Sequence, residues 1–190
     1  MDNFISYVVD KDSEKFNELM AIPSLKESFV NTLNSAFDSD NTYESLYGDW
    51  RFCRFAFMVQ NNIIVSLAIS GPSWKGMEHE INTTYWISNV ATLEGCRSLG
   101  LCEKNIFQLI QSYWNYTTNK SIDDKCFRLF VRASNEPAIK CYTKLGFFYT
   151  GCYLHSGEKV QYNWMYLNND KFSEYCLNYY SKKLAKKELY

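Results

Sequence analysis

Apolar positions change their period several times along this chain, and each change marks an element boundary. FISYVV, residues 4 to 9, mixes β-branched and aromatic residues ahead of the polar break DKDSEK, and it predicts a first strand. Ser13 is placed to cap a helix carrying Phe16, Leu19 and Met20. Pro23 ends or bends that helix, and a second helical pattern runs through Leu25, Phe29, Leu33 and Phe37. The polar stretch DSDNTYES, residues 38 to 45, reads as loop. RFCRFAFMV (51 to 59) and IIVSLAIS (63 to 70) flank Asn61-Asn62, a pair that tolerates positive φ, so they predict an antiparallel hairpin.

Residues 71 to 82, GPSWKGMEHEIN, are rich in breakers and predict a loop, followed by a long β-prone run over 83 to 93. After it, Cys102, Ile106, Leu109, Ile110 and Tyr113 fall on one stripe of a helix whose first turn includes Gly100. A polar connection leads to a strand at 127 to 131, a helix at 134 to 145, and strands at 147 to 154 and 160 to 167. The last segment places Phe172, Tyr175, Cys176, Tyr179 and Leu184 at helical spacing beside Lys182, Lys183, Lys186 and Lys187. This pattern predicts a terminal helix docked through its aromatics with a solvated lysine face. The order of elements is that of an α+β fold, with one domain over 1–168 and a helical appendage over 169–190.

Composition narrows the function classes. The 190 residues fit one core of ordinary size. Twenty Lys and Arg against 21 Asp and Glu give a net charge of −1, which disfavours a bulk nucleic-acid binder. No apolar run reaches the roughly 18 residues of a membrane span, and the first residues lack a secretory pattern, so the expectation is a soluble, cytoplasmic protein with no membrane partner. Seven cysteines lie singly, with no CxxC and only two histidines, so reduced thiols are expected and no metal site.

Two stretches carry chemistry. In NVATLEGCRSLGLCEKN a strand gives way to a helix start, where outward-pointing amides and the helix dipole favour an anion. Arg97 adds a full charge, and Gly100 lets a phosphate approach the backbone. A low-pKa thiol at Cys96 or Cys102 is a competing reading, although no histidine partner is at hand. In SNEPAIKCYTKLGF, Asn135 suits an N-cap, Pro137 the first turn, and Gly146 a helix stop before Phe147.

Together the two stretches resemble the GNAT N-acetyltransferase superfamily. Its R-x-x-G-x-G/A helix start is matched by Arg97 and Gly100, with Cys102 in the last position. Its N-x-x-A-x-x-x-Y-x-x-x-G-F run is matched by Asn135, Ala138, Tyr142, Gly146 and Phe147. The resemblance is strong over residues 83 to 167. It implies a mixed, mostly antiparallel, splayed central sheet of six to seven strands flanked by about four helices, with the C-terminal helix extra. It implies acetyl-CoA as cosubstrate, with the backbone of Val90, Ala91 and Thr92 along the pantetheine arm. The amides of Arg97, Ser98, Leu99, Gly100, Leu101 and Cys102 would hold the pyrophosphate, and Asn135 and Ala138 would shape the cleft.

By the same resemblance, a strand amide near Val90 to Thr92 would meet the oxyanion formed when a neutral amine attacks the thioester, and Tyr142 would protonate the departing thiolate. The strand position of a catalytic carboxylate falls near Thr84, so Glu80 is the candidate base, with Glu78, His79 and Glu94 nearby and ordered water an equal alternative. The acceptor is a primary amine of a small molecule, peptide or protein, taken by a monomer or homodimer. Tyr43, Tyr47, Trp50, Trp74, Tyr153, His155, Tyr162 and Trp164 are available to an acceptor pocket or to packing. The competing reading from another class is a non-catalytic acyl-CoA-binding sensor or interaction module.

Overall fold

The structure is a computed structural model and describes residues 3–49, 53–71, 84–116, 126–154 and 160–187. The chain forms two compact units, residues 1–120 and 121–190.

The first unit opens with β1 (Ile5–Asp10), followed by α1 (Glu14–Met20), α2 (Pro23–Phe37) and α3 (Tyr43–Asp49). Ser13 caps α1 by accepting from the Phe16 amide at 3.2 Å, and Pro23 stands at the start of α2, where a missing amide costs nothing. The helix α3 lies partly inside the stretch that reads as loop. Its start is fixed by a reciprocal pair, the Ser45 amide donating to Thr42 Oγ1 at 3.3 Å and the Thr42 amide to Ser45 Oγ at 3.1 Å. The capping signal was there, hidden among polar neighbours.

β2 (Arg54–Gln60) and β3 (Ile63–Gly71) form the expected hairpin, and Asn61 and Asn62 take φ of 51° and 58°, the pair of left-handed residues that such a two-residue turn requires. β4 (Thr84–Thr92) pairs antiparallel with β3, and β1 with β2, so the strands run β1-β2-β3-β4. One side of these strands is packed by α1 and α2 around Phe16, Phe29, Phe55 and Phe57; Phe16 stacks on Phe55 at 4.9 Å and Phe29 stands edge-on to Phe57 at 5.6 Å. Two buried hydroxyls staple α2 to the hairpin. Thr32 Oγ1 donates to the Ile64 carbonyl at 2.8 Å, and the Ile64 amide donates to Ser28 Oγ at 2.9 Å. A short 3-10 turn, Glu94–Cys96, leads to α4 (Leu101–Tyr116). Leu101 packs on Met58 and Val65, with Cys96 and Leu93 at the margin of that cluster.

The second unit holds β5 (Cys126–Arg132), α5 (Glu136–Lys144), β6 (Phe148–Leu154), β7 (Gln161–Asn168) and α6 (Asn169–Lys187), with strands in the order β5-β7-β6, all antiparallel. Asn168 caps α6 by accepting from the Lys171 amide at 3.0 Å. Among the described side chains of α6, Phe172 is buried and Tyr175 and Cys176 half-buried, whereas Leu177 is 71 % exposed and Tyr179, stacked on Tyr175 and edge-on to Tyr180, lies on the surface; the side chain of Leu184 is outside the described residues. The expectation of docking along the full aromatic stripe therefore holds for the first two turns and fails at Tyr179. Among the described residues the fold is α+β, with seven strands in mostly antiparallel pairing and six α-helices.

Candidate active site

The strand β4 does not run straight. Ile69 faces Ser88 and Leu67 faces Ala91, so Asn89 and Val90 together oppose the single residue Ala68. That is a β-bulge, and Asn89 takes the extra turn of backbone at φ 47°, a conformation that asparagine accepts more readily than other non-glycine residues. Beyond the bulge, regular pairing resumes, with Leu93 donating to the Val65 carbonyl at 2.9 Å. Neighbouring residues of a strand turn their backbone groups to opposite sides, so Thr92 directs its own away from β3. The Thr92 carbonyl is approached there by Arg97 Nε at 3.5 Å.

The connection from β4 to α4 is tightly wound. Cys96 donates to the Leu93 carbonyl at 2.9 Å and Arg97 to the Glu94 carbonyl at 3.1 Å; Ser98 and Gly100 then adopt φ of 65° and 73°. Gly100 precedes α4 rather than lying within its first turn, and the Lys104 amide donates to the Gly100 carbonyl at 3.1 Å. A side chain added at Gly100 would meet no atom within 4 Å, so the space beside its backbone is open. Arg97, Ser98 and Leu99 are exposed around it; Leu101 is buried and anchors the helix start, and Cys102 is half-buried. Glu103 is the acid in this first turn and opposes an anion there.

Of the three strand residues expected along a pantetheine arm, Thr92 turns its backbone outward, whereas the Ala91 carbonyl is held by Ser66 Oγ at 3.1 Å on the β3 side. Val90 lies in the bulge. Asn89, Ser66 and Asn105 are the residues of this region that sequence reasoning passed over. An asparagine inside a β-prone run is a bulge signal and was available. Nothing in sequence links Ser66 to Asn105, which are 39 residues apart.

In the second unit every position of the Asn135-to-Phe147 run has a local task. Asn135 Oδ1 accepts from the Ala138 amide at 3.2 Å and so caps α5. Ala138 is half-buried one turn before Tyr142. Tyr142 is 6 % exposed, its ring centroid 6.1 Å from that of Phe147, and its carbonyl accepts from the Phe147 amide at 3.0 Å. Gly146 takes φ 97°, and a side chain there would meet the Lys171 carbonyl at 3.1 Å, so both the left-handed turn and the close pass to α6 favour glycine.

Glu80, with Glu78 and His79, lies outside the described residues, as do Trp50, Trp74 and His155. Glu94 is exposed in the 3-10 turn. Tyr43 packs edge-on to Phe29 at 6.2 Å under Lys26, and Trp164 edge-on to Phe130 at 4.5 Å, which gives these two aromatics packing roles; Tyr162 is half-buried and Tyr153 exposed, and Tyr47 lies in α3. Among the described residues no group of three or more His, Cys, Asp and Glu is placed to hold a metal ion, and no helix is long and apolar enough to cross a membrane. None of the seven cysteines is in a disulfide, and burial pushes Cys53 up to about 11, which removes it as a nucleophile near neutrality.

Known proteins were compared with this geometry. No family model matches the sequence, and no curated protein matches it. Solved structures do match. The ribosomal-protein-S18-alanine N-acetyltransferase of Escherichia coli aligns with 86 % of this chain and 94 % of its own, at TM-score 0.60 and 16 % identity. A GNAT family acetyltransferase of Elizabethkingia anophelis, solved with acetyl-CoA bound, aligns with 88 % and 99 % at TM-score 0.59 and 15 % identity. A chain of the NatC complex, bound to Gag peptide and CoA, aligns with 88 % and 99 % at TM-score 0.65 and 12 % identity. Both stretches that carry the sequence resemblance fall on the elements expected of them, and the chain has the GNAT acyl-CoA N-acyltransferase fold.

Proposed function

We propose that this protein is an acetyl-CoA-dependent N-acyltransferase acting on a primary amine of a small molecule, peptide or protein. The observation that carries the reading is the bulged end of β4 running into a helix start opened by Gly100, beside which the backbone is accessible. Open space at a left-handed glycine, helix-opening amides and Arg97 suit a pyrophosphate, so the residues present fit the donor. Acetyl-CoA, when bound, supplies an activated acyl thioester.

The chain's own contribution is positional. The outward backbone groups of Thr92 align an extended arm, and the amides of residues 98 to 102, with the Arg97 side chain rather than its amide, hold its anionic end, since the Arg97 amide already donates to the Glu94 carbonyl. In this reading a strand amide near Val90 to Thr92 stabilises negative charge on the carbonyl oxygen, and the Tyr142 hydroxyl is the proton donor to the leaving sulfur. The amine loses its proton to ordered water or to Glu80. The names of the S18-alanine enzyme and of NatC with its peptide, among the matching structures, support testing polypeptide amines early.

The test is thiol release from acetyl-CoA with a panel of small amines and peptide N-termini, comparing wild type with Tyr142→Phe. Amine-dependent release, lowered roughly 100-fold or more by the substitution as loss of a general acid implies, is the expected result. Binding of acetyl-CoA with release on no amine would instead favour a non-catalytic acyl-CoA sensor.

A further inference from the structure

Behind the end of β4 sits a polar cluster that the surrounding apolar packing does not need. Ser66 on β3 and Asn105 on the second turn of α4 are both fully buried. Asn105 Nδ2 donates to Ser66 Oγ at 2.9 Å, and Ser66 Oγ lies 3.1 Å from the Ala91 carbonyl and 2.8 Å from Thr92 Oγ1. A serine hydroxyl has one proton and two lone pairs. All three contacts are satisfied together when Ser66 donates to Ala91 while accepting from Asn105 and from the Thr92 hydroxyl. The cluster thus ties β3, the end of β4 and α4 at one atom. It turns the Thr92 side chain inward and holds the Ala91 carbonyl toward β3, which leaves the Thr92 backbone on the outward side.

The tie has a cost. Among the described residues the buried Asn105 Oδ1 has no hydrogen-bond partner. Its neighbours Ile106, Leu109 and Ile110 are fully buried aliphatics, so a leucine at 105 suits the same environment without an orphaned acceptor. A local rule broken without a packing gain is expected where function outweighs stability.

We propose that Asn105 is a positioning residue for the acyl donor: through Ser66 it locks Ala91–Thr92 to the start of α4, so that the outward Thr92 backbone and the helix-opening amides form one preorganised cradle. This rests on the acetyl-CoA reading above. Asn105 does not touch the donor; it acts through Ser66 and Thr92.

The experiment is calorimetric titration of the full chain with acetyl-CoA, alongside thermal melting, for wild type, Asn105→Leu, Ser66→Ala and the double variant. The expected result is a melting temperature for Asn105→Leu equal to or above wild type, with affinity weakened roughly three- to tenfold, the worth of one hydrogen bond. Ser66→Ala weakens binding to a similar extent, and the double variant no further, because the two residues act as a unit. Wild-type affinity in Asn105→Leu, or additive losses in the double variant, overturns the proposal, as does a loss of affinity that only tracks a fall in melting temperature. Should Asn105→Leu not fold, Ser66→Ala carries the same reading. No binding by the wild-type chain sinks the donor reading and this inference with it, whereas normal wild-type binding with unchanged variants sinks this inference alone.

Discussion

Replacing Gly100 by alanine separates folding from ligand approach at the helix start. The backbone there sits at φ 73°, and an added Cβ would meet no atom within 4 Å, so steric contact contributes nothing to the cost. What remains is the left-handed conformation, about 1–2 kcal/mol for a residue with a side chain, offset by about 0.4–1 kcal/mol from the stiffer unfolded chain. The net expectation is a loss of about 1 kcal/mol, or roughly 2–4 °C in melting temperature for a chain of this size. Gly95, in the preceding 3-10 turn, is the control. It too has nothing within 4 Å of a built Cβ, yet its φ lies outside the left-handed range, so Gly95→Ala should leave stability unchanged or raise it by about 0.4–1 kcal/mol. Binding should divide the pair further. If the proposed donor site is right, the methyl at 100 projects into the space a phosphate would fill, and its loss of affinity for acetyl-CoA should reach about tenfold, or 1.4 kcal/mol, while Gly95→Ala binds as wild type. Urea unfolding and calorimetric titration measure the two quantities separately. If Gly100→Ala equals Gly95→Ala in both, the backbone of Gly100 plays no part in holding an anion.

Two further outcomes follow from buried groups. Thr32→Val keeps the shape of a fully buried side chain but removes the 2.8 Å donor to the Ile64 carbonyl, and should lower the unfolding free energy by about 1–3 kcal/mol in urea, with little effect on donor binding. Burial raises Tyr113 from 10.0 to about 12 and Cys53 from 9.0 to about 11. Each raised group stays protonated in the folded chain at a pH where the unfolded chain has lost the proton. Stability is therefore full below pH 9 and falls as pH rises through 11 and 12, by on the order of 2 kcal/mol for Tyr113 alone. Urea midpoints from pH 8 upward test this, and Tyr113→Phe should flatten the upper part of the fall.

Local signals wrote most of this fold into the sequence. Ser13, Pro23, the Asn61-Asn62 turn, Asn135 and Gly146 each act within a few residues of their own position, and each does in the structure what its chemistry allows. α3 escaped because its cap, Thr42 with Ser45, lies in a run of polar residues that also suits a loop. The surface placement of Tyr179 and Tyr180 escaped for another reason: periodicity shows which residues share a helix face, not whether anything covers it. At the candidate site the sequence pointed to Arg97 and Gly100, since a helix start and a glycine are local features. The Ser66–Asn105 tie was invisible because it depends on β3 and α4 meeting, and a serine within IIVSLAIS gives no sign of its partner. Gly146 was legible as a helix stop, but its pass against the Lys171 carbonyl was not.

The most direct test of the donor site is a thermal melt of the intact chain with increasing acetyl-CoA, read beside calorimetric titration. The account predicts saturable one-site binding and a rise of roughly 5–10 °C once the ligand exceeds its dissociation constant about 100-fold, the shift that about 2.7 kcal/mol of binding linkage gives a domain of this size. A melting temperature that stays fixed up to millimolar acetyl-CoA, with no heat of binding, would contradict it.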